Sequence, residues 1–564
     1  MILELKEKII NDIYEILKKD GISKKDIILE KPKDIKLGDF SLPCFNYSKI
    51  LKKAPNTIAE YLKQNINKDE YEKVEVVGGY LNIFLNKKDI VVRLLNKIVE
   101  EKEQYGNLDI GNNKTIVIDY SSPNIAKPFT VGHLRSTIIG NALKRILKKI
   151  GYKVIGINYL GDWGTQFGKL IYAYKTWVNE EAMKENPIKE LKRLYVKFHN
   201  EAEQNEELND IARKYFKRLE NKEEEYIKLW EYFIDISLKE FNKMYNLLGI
   251  TDFESTTGES FYNDKMDSVI KELKEKNLLE KDDGAMIVRL GDNLLPALIQ
   301  KSDGASLYIT RDLATLFHRK NKYKFDEALY VVGNEQTLHF NQLKQVLQKM
   351  GYDWYKDIHH ISFGMVLDNG KRMATRKGKG VELIDVLNDS MNLSQKYIEE
   401  KNPNLENKKE ISRIVGVGAV IFNYLKTYCK NDIDFNLENI LKFEGETAPY
   451  ICYTYARIKS VLTGISVNKI NNINVDINDY IWNITLEMLK FEEVIIQAKE
   501  KYDPSELAKY LIDLAQKFNK FYGAERIITD NKEETEIKSL ISESVSIILK
   551  EGMNLLGIKI PEKM

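Results

Sequence analysis

The fold of this chain is decided by residues 116–157, IVIDYSSPNIAKPFTVGHLRSTIIGNALKRILKKIGYKVIGI. A short apolar run, Ile116–Ile118, leads into a loop of Ser, Pro and Asn. The next segment has apolar residues at helical spacing, namely Leu134, Ile138, Ala142, Ile146 and Ile150. Gly151 ends this helix, and Val154–Ile157 supplies a second strand. This order predicts a βαβ unit of a Rossmann-like parallel sheet, with ligands at the carboxyl ends of the strands.

The rest of the chain divides into further predicted parts around this unit. Residues 1–110 are expected to form a small α/β domain, with an amphipathic first helix and a strand pair, Val74–Val77 and Tyr80–Leu85, joined by two glycines. Residues 111–405 are expected to form the parallel-sheet domain. Within them, residues 169–248 contain no glycine and predict a helical insertion. Residues 406–564 are expected to form an all-α domain.

Composition narrows the class of protein. The chain has 564 residues, of which 86 are Lys or Arg and 85 are Asp or Glu. This balance argues against binding nucleic acid or membrane by bulk charge, although a local basic surface remains compatible with RNA. The three cysteines lack CxxC spacing, and the most apolar stretch, Val415–Phe422, is too short to span a bilayer. We therefore expect a cytoplasmic protein without a disulfide framework, a cysteine-rich zinc site or another resident metal.

The loop after the first strand carries the residues best suited to phosphate chemistry. Thr130-Val-Gly-His133 lies where the loop enters the helix, and the N–H groups of a helix N-terminus bind phosphate. Gly132 allows close approach of a nucleotide, His133 can donate to phosphate oxygens, and Lys127 adds a mobile cation. Taken alone, such a four-residue motif is more typical of an ordinary loop with a Thr cap and a surface His.

Several longer motifs accompany it in a fixed order. They are SSPNIAKPFTVGHLRSTIIGNAL (121–143), NYLGDWGTQFG (158–168), KSDGASLYITRDLA (301–314), VVGNEQTLHF (331–340), FEGETAPYICYTYARI (443–458) and the terminal LGIKIPEKM (556–564). Together they resemble arginyl-tRNA synthetase, a class I aminoacyl-tRNA synthetase, over nearly the whole chain. The resemblance implies a ligase that uses ATP, with Mg²⁺, to activate L-arginine and transfer it to the 3′ end of tRNA(Arg).

The resemblance also implies an arginine-binding site. Carboxylates and a phenol suit a guanidinium, and the family's side-chain pocket carries over to Glu259, Tyr308 and Asp312. Its α-amino and carboxylate end carries over to Asp119, Asn124 and Gln336, although the family usually has Glu where Asp119 stands. Taken singly, Asp312 could equally cap a helix, and Tyr308 could belong to a core.

The ATP site is implied in the same way, with two departures. Thr130 stands where the class I motif usually has its first His. The second class I motif appears as KRMATRKGKG (371–380), in which Thr375 replaces the usual second lysine and Lys127 is expected to substitute for it. The expected catalytic residues are Lys127, Thr130, His133, Lys371, Arg372 and Arg376. The expected ATP-binding residues are Lys127, Thr130, Gly132, His133, Met365 and Met373. By composition alone, residues 371–380 could equally be a solvated loop.

The flanking domains are expected to hold the tRNA. Tyr80 and Asn82 are candidates for stacking on and hydrogen-bonding a loop base. In the last domain the candidates are Tyr450, Tyr453, Arg457 and Met564. A core role for Tyr80 is an equal alternative. We expect a monomer. The competing hypotheses are a non-catalytic tRNA-binding paralogue, suggested by Thr130 and Thr375, and a small-molecule nucleotidyltransferase, which leaves both flanking domains unexplained.

Overall fold

The computed structural model describes residues 1–32, 34–68, 71–250, 252–291, 294–301, 308–368, 370–372 and 381–564. The expected ATP-site residues Met373, Thr375 and Arg376 lie outside these ranges, as do residues 302–307 of the motif that precedes Tyr308. Among the described residues, none of the helices combines the length and the apolar character needed to cross a membrane.

The N-terminal part is a three-stranded antiparallel sheet with helices. Its elements are α1 (Ile2–Leu17), β1 (Phe40–Pro43), α2 (Ser48–Leu51), α3 (Pro55–Asn65), β2 (Lys73–Val77), β3 (Tyr80–Phe84) and α4 (Lys87–Glu101). The predicted first helix and strand pair are both confirmed, and the strand order is β1-β3-β2. Gly78 and Gly79 both have positive φ, which a two-residue hairpin turn of this hand requires.

The central part is built on a five-stranded parallel sheet, as the sequence predicts. The strands of this part are β4 (Thr115–Asp119), β5 (Lys153–Leu160), β6 (Ser255–Gly258), β7 (Glu280–Asp282), β8 (Ala285–Val288), β9 (Ala297–Gln300), β10 (Glu327–Gly333) and β11 (Ile358–Phe363). The parallel sheet has the order β11-β10-β4-β5-β6, whereas β7, β8 and β9 form a separate antiparallel sheet. The carboxyl ends of the parallel strands therefore meet at one edge.

The helices of the central part cover this sheet and form the predicted insertion. They are α5 (Val131–Lys149), α6 (Thr165–Trp177), α7 (Glu180–Glu185), α8 (Pro187–Gln204), α9 (Glu207–Glu220), α10 (Glu224–Leu247), α11 (Met266–Glu275), α12 (Tyr308–Tyr323), α13 (Thr337–Lys349) and α14 (Leu383–Lys401). Helices α6 to α10 form the insertion. An aromatic contact joins it to the sheet domain, because the Trp163 ring lies 5.4 Å from Phe216 and 5.9 Å from Trp230.

The C-terminal part is helical, with one short exception. Its helices are α15 (Lys408–Leu425), α16 (Leu437–Ile440), α17 (Ala448–Val461), α18 (Asp479–Leu489), α19 (Phe491–Glu500), α20 (Ser505–Ala524) and α21 (Lys532–Leu555). The exception is β14 (Ile433–Asp434), which pairs in parallel with β12 (Val366–Asp368). Strand β12 also pairs with β13 (Lys371–Arg372) in an antiparallel hairpin. Two residues carry no periodicity, so the sequence pattern did not reveal β14.

The N-terminal part packs against the C-terminal helices. The terminal ammonium of Met1 lies 2.6 Å from Glu492, which is 2% exposed, and Lys97 also pairs with this carboxylate. The buried Trp482 donates its Nε1–H to Asp39 at 3.2 Å. These buried polar contacts fix the position of the first domain relative to the last.

Helix α5 lies directly on the sheet, and one glycine makes this possible. A Cβ atom at Gly140 would lie 2.3 Å from Cβ of Tyr120, which follows β4. A contact this short cannot be accommodated without moving the helix away from the sheet. Gly523, near the end of α20, has open space at the same position.

We predict that Gly140→Ala destabilises the protein. Overpacking of this kind costs about 1–3 kcal/mol, so the melting temperature of the sheet domain should fall. Gly523→Ala is the matched control, because alanine favours a helix over glycine and meets no neighbour there. Thermal unfolding followed by circular dichroism measures both. Equal melting temperatures for the two variants would contradict the packing argument.

Candidate active site

The loop between β4 and α5 is held in an unusual backbone conformation. Ser121, Ser122 and Ala126 have φ values of 76°, 49° and 59°, a region that residues other than glycine seldom occupy. Helix α10 of the insertion supports the loop. The Ser237 hydroxyl accepts a hydrogen bond from the Ala126 N–H at 2.9 Å, and the hydroxyl groups of Ser121 and Tyr245 lie 2.8 Å apart. The insertion therefore helps to position the loop that leads into α5.

Thr130 and His133 form a reciprocal cap at the start of α5. The Thr130 N–H donates to Nδ1 of His133 at 3.1 Å, and Oγ1 of Thr130 lies 3.0 Å from the same nitrogen. An N–H can only donate, so Nδ1 is unprotonated and the neutral ring carries its proton on Nε2. Burial, with a contribution from Lys127, lowers the pKa of His133 to about 4. His133 is therefore a neutral donor at pH 7.

Lys127 and Gly132 complete this end of the site. Lys127 is half-buried, and its Nζ lies 5.6 Å from the centre of the Tyr195 ring on the insertion helix α8. Burial lowers the pKa of Lys127. Gly132 is exposed, and a Cβ there would meet only Oγ1 of Thr130, at 3.6 Å. The chain itself thus leaves room at Gly132 for a side chain, and this room is available to a ligand.

Two of the expected arginine-binding residues, Glu259 and Asp312, are brought into electrostatic contact. Burial raises the pKa of Glu259 to about 7, Arg311 opposes the shift, and the negative charges of Asp162 and Asp312 add to it. Asp312 lies 2.6 Å from Nε2 of His339, and Glu259 lies 3.4 Å from Nη1 of Arg311. The site therefore brings two carboxylates together, each with one hydrogen-bonding or ionic partner in the protein, and carboxylates are the groups that bind a guanidinium in fork geometry.

The remaining expected residues of the arginine site differ in their surroundings. Tyr308 is the first residue of α12 and is 71% exposed, and Gln336 is exposed in the short 3-10 helix before α13. Asn124 forms a bridge with Gly161, where a Cβ would lie 2.4 Å from its Oδ1. This contact explains the glycine in the NYLGDWG motif.

Asp119 is buried at the end of β4 and has two partners. Nη1 of Arg319 lies 2.7 Å from Oδ2, and the Ser122 hydroxyl donates to Oδ1 at 3.0 Å. Burial raises the pKa of Asp119, and the charge of Arg319 opposes this shift. Arg311, Arg319 and His339 escaped the sequence reasoning. Arg311 lies inside the quoted motif KSDGASLYITRDLA and His339 inside VVGNEQTLHF, and these motifs were the available signal.

The cationic segment 371–380 begins in strand β13, and the residues that follow it contact the start of α5. Lys371 is exposed in β13, and Met365, just before β12, is 42% exposed. Beyond the segment, the Val131 N–H donates to the carbonyl of Val381 at 3.1 Å, and the Leu383 N–H donates to Phe129 at 2.9 Å. Residues 381–383, which follow the segment, are therefore hydrogen-bonded to the residues around the start of α5.

The candidate tRNA contacts range from exposed to buried. Tyr80 is 36% exposed beside Phe45, and Tyr453 is 41% exposed with Arg457 over its ring at 4.8 Å. Asn82, in contrast, is 3% exposed and accepts a hydrogen bond from Ser41. Two further candidates are partly buried in the last domain: the Tyr450 hydroxyl accepts from Asn519, and the carbonyl of Met564 accepts from Asn402.

Comparison with known proteins identifies the family. Residues 94–437 match the model described as tRNA synthetases class I (R), catalytic domain. The chain belongs to the arginyl-tRNA synthetases. Residues 3–85 match the arginyl tRNA synthetase N terminal domain, and residues 451–564 match the DALR anticodon binding domain. The resemblance drawn from the motifs and the expected fold class are both confirmed.

Relatives that align over nearly the whole chain support the same family. The chain is 49% identical to the arginine–tRNA ligase of Enterococcus faecalis over 562 residues, which cover 99% of this chain and 100% of the relative. It is also 49% identical to that of Ligilactobacillus salivarius, over 97% of each chain. The structure is similar to arginyl-tRNA synthetase of Thermus thermophilus, with a TM-score of 0.85, 25% identity and 99% and 100% of the two chains covered. For that of Plasmodium falciparum the TM-score is 0.81 at 27% identity, over 99% of each chain.

We predict that arginine binding weakens as the pH falls through 7. The pKa of Glu259 is raised to about 7, and its protonated form cannot pair with a guanidinium. The dissociation constant of L-arginine should therefore rise by up to about tenfold per pH unit below this value. Calorimetric titration of the full chain measures it. Glu259→Gln should bind more weakly at pH 8 and lose most of the pH dependence. A flat wild-type profile would remove Glu259 from the pocket.

Proposed function

We propose that this chain is an arginine–tRNA ligase, which activates L-arginine with ATP and transfers it to tRNA(Arg). One observation supports the proposal: Glu259, whose pKa is raised in part by Asp312, directly follows strand β6, and β4 of the same parallel sheet leads into α5 with its neutral donor His133. The first feature suits a guanidinium, and the second suits phosphate.

The first step is adenylate formation. The carboxylate of arginine attacks the α-phosphorus of ATP, a bond forms from that oxygen to phosphorus, and the bond to the β-phosphate oxygen breaks, so that pyrophosphate leaves. The protein forms no covalent bond. Its contribution is to position the substrates and to stabilise negative charge. We assign this stabilisation to Lys127, Thr130, His133, Lys371, Arg372 and Arg376, with Gly132, Met365 and Met373 next to the nucleotide.

The arginine contacts are assigned in the same proposal. We assign the guanidinium to Glu259, Asp312 and Tyr308, and the α-amino and carboxylate end to Asn124, Gln336 and Asp119. Each carboxylate oxygen can accept a second hydrogen bond, so Asp119 retains capacity for the substrate ammonium beside Arg319 and Ser122. Asp119 stands where the family usually has Glu, so the substrate ammonium has to approach one methylene closer to β4.

The second step moves the arginyl group from the adenylate to a hydroxyl of the terminal adenosine of the tRNA, with release of AMP. We assign residues 1–110 and 406–564 to tRNA binding and residues 111–405 to catalysis. Tyr80 and Asn82 are the proposed contacts in the first domain, and Asn82 would have to leave its hydrogen bond with Ser41. The proposed contacts in the last domain are Tyr450, Tyr453, Arg457 and Met564.

We propose that Mg²⁺ enters as the ion bound to the phosphates of ATP. The described part of the chain contains no group of three or more His, Cys, Asp or Glu residues that could hold a metal ion. We further propose that the chain acts as a monomer in the cytoplasm, which sedimentation of the purified protein and fractionation of cells would test.

The function is tested by arginine-dependent exchange of pyrophosphate into ATP, measured with and without tRNA(Arg). We expect exchange, and we expect arginine to appear on the tRNA when all substrates are present. A non-catalytic tRNA-binding protein would bind tRNA and show exchange in neither condition. A small-molecule nucleotidyltransferase would show no dependence on arginine or tRNA.

His133→Gln separates catalysis from capping. Glutamine at this helix position reproduces the reciprocal cap with Thr130, so the melting temperature should stay near that of the wild type. Loss of the imidazole N–H should lower the activation rate by ~10²-fold, as removal of one charge-stabilising donor does. His359→Gln is the matched control, because His359 lies near the start of β11, at the opposite edge of the sheet. Equal rates for both variants would exclude His133 from the reaction.

A further inference from the structure

Arg135, two residues after His133 in α5, is buried completely. Its Nη1 donates to the carbonyls of Gly364, at 2.6 Å, and Met365, at 3.4 Å. Its Nη2 donates to the carbonyls of Cys429, at 2.9 Å, and Asn431, at 2.7 Å. One guanidinium thus joins three separated stretches of the chain: the catalytic helix, the residue pair before β12 and the loop after α15.

The hydrogen bonds of Arg135 all go to carbonyl oxygens, and the negative charges of Asp432 and Asp503 act on it from a greater distance. Within the residues that the structure describes, Arg135 forms no salt bridge with a carboxylate, and its hydrogen-bond partners are the four carbonyl oxygens. Burial accordingly lowers its pKa. A guanidinium directs its two terminal amino groups along fixed, divergent lines, whereas an ammonium is a single point charge. Lysine therefore cannot serve both pairs of carbonyls, and the contact sets a geometry as well as a charge.

The residue pair before β12 and the loop after α15, which Arg135 joins to the helix, are also in close contact with each other. A Cβ at Gly364 would lie 2.5 Å from the carbonyl oxygen of Asn431. The Met365 N–H donates to Asp432 at 2.7 Å, and β12 continues the contact by pairing with β14. The loop 429–434 therefore supports the β12–β13 hairpin, and this hairpin leads into the cationic segment 371–380.

We propose that Arg135 is a positioning residue that fixes the β12–β13 hairpin, and the loop 429–434 beneath it, relative to the N-terminus of α5. The inference rests on the proposed function, because it concerns the position of β13, with its Lys371, when ATP reacts. Arg135 itself is buried and touches no substrate. Its effect is to set the distance between the donors at Thr130–His133 and Lys371 on β13.

The test compares the wild type with Arg135→Gln and Arg135→Lys in pyrophosphate exchange and in tRNA binding. A displacement of about 1 Å far from the reacting atoms costs ~10²-fold in rate, so we expect exchange by Arg135→Gln to fall by this factor. The binding constant for tRNA should stay within about twofold, because the candidate RNA contacts lie elsewhere. Arg135→Lys should recover little of the loss. Free guanidinium ion, with arginine saturating, should recover part of it in Arg135→Gln.

Lys144→Gln is the matched control for stability. Lys144 is also a buried cation on α5, but it pairs with Glu254 at 2.8 Å, away from the hairpin. The Lys144→Gln substitution should lower the melting temperature and leave the exchange rate per folded molecule unchanged. If Arg135→Gln behaves like Lys144→Gln, or if free guanidinium has no effect, the role of Arg135 is structural only and the proposal is overturned.

Gly364→Ala tests the same interface from the other side. The added methyl group should separate Gly364 from Asn431 while leaving Arg135 in place, and exchange should again fall. In the double variant Arg135→Gln/Gly364→Ala, the fold loss of exchange rate should be smaller than the product of the two single losses, because both changes disrupt one contact. Multiplicative losses would overturn the proposal. Absence of exchange in the wild type itself would instead contradict the proposed function.

Discussion

Burial of helix α5 on nearly every side is the constraint on which the rest of the structure depends. Its apolar residues pack on the sheet, and its polar residues are used as well: the Ser136 hydroxyl donates to the carbonyl of Val331 in β10 at 2.7 Å and accepts from the Ser121 N–H at 3.0 Å. At its other end, Lys149 pairs with Glu551 of α21. A helix fixed at so many points presents its N-terminus in one position. This is what a site built from backbone N–H groups requires.

The electrostatics of the site divide it into two halves. At the N-terminus of α5, burial keeps His133 neutral, so the helix N–H groups and Lys127 supply the positive potential. Across the edge of the sheet, Glu259, Asp312 and Asp119 concentrate negative charge, and Arg311, His339 and Arg319 each hold one of them in place. The two guanidinium groups, Arg311 and Arg319, reduce the cost of keeping carboxylates close together before a substrate cation arrives.

Local patterns predicted most of the fold, because they reflect local physics. The stripe Ile2, Leu5, Ile9, Ile13 and Leu17 is buried along one face of α1, and the glycine-free stretch 169–248 lies in helices α6 to α10. Strand β14 was missed because a two-residue strand exists only through its partner, β12. The buried pair of Arg319 and Asp119 was missed for a similar reason, since the two residues are 200 positions apart and neither has a local signature.

The sequence by itself determined the βαβ unit, the helical insertion, the helical C-terminal part and the family, since these depend on periodicity and on ordered motifs. Only the tertiary structure decided the state of the side chains in the site. The proton of His133 is on Nε2 because the Thr130 N–H donates to Nδ1, and burial together with two neighbouring carboxylates raises the pKa of Glu259 to about 7. Arg135 looked like one more residue of a helix motif, and its four carbonyl partners come from positions more than 200 residues away. Charge, protonation and positioning depend on neighbours in space, and the order of the residues does not specify those neighbours.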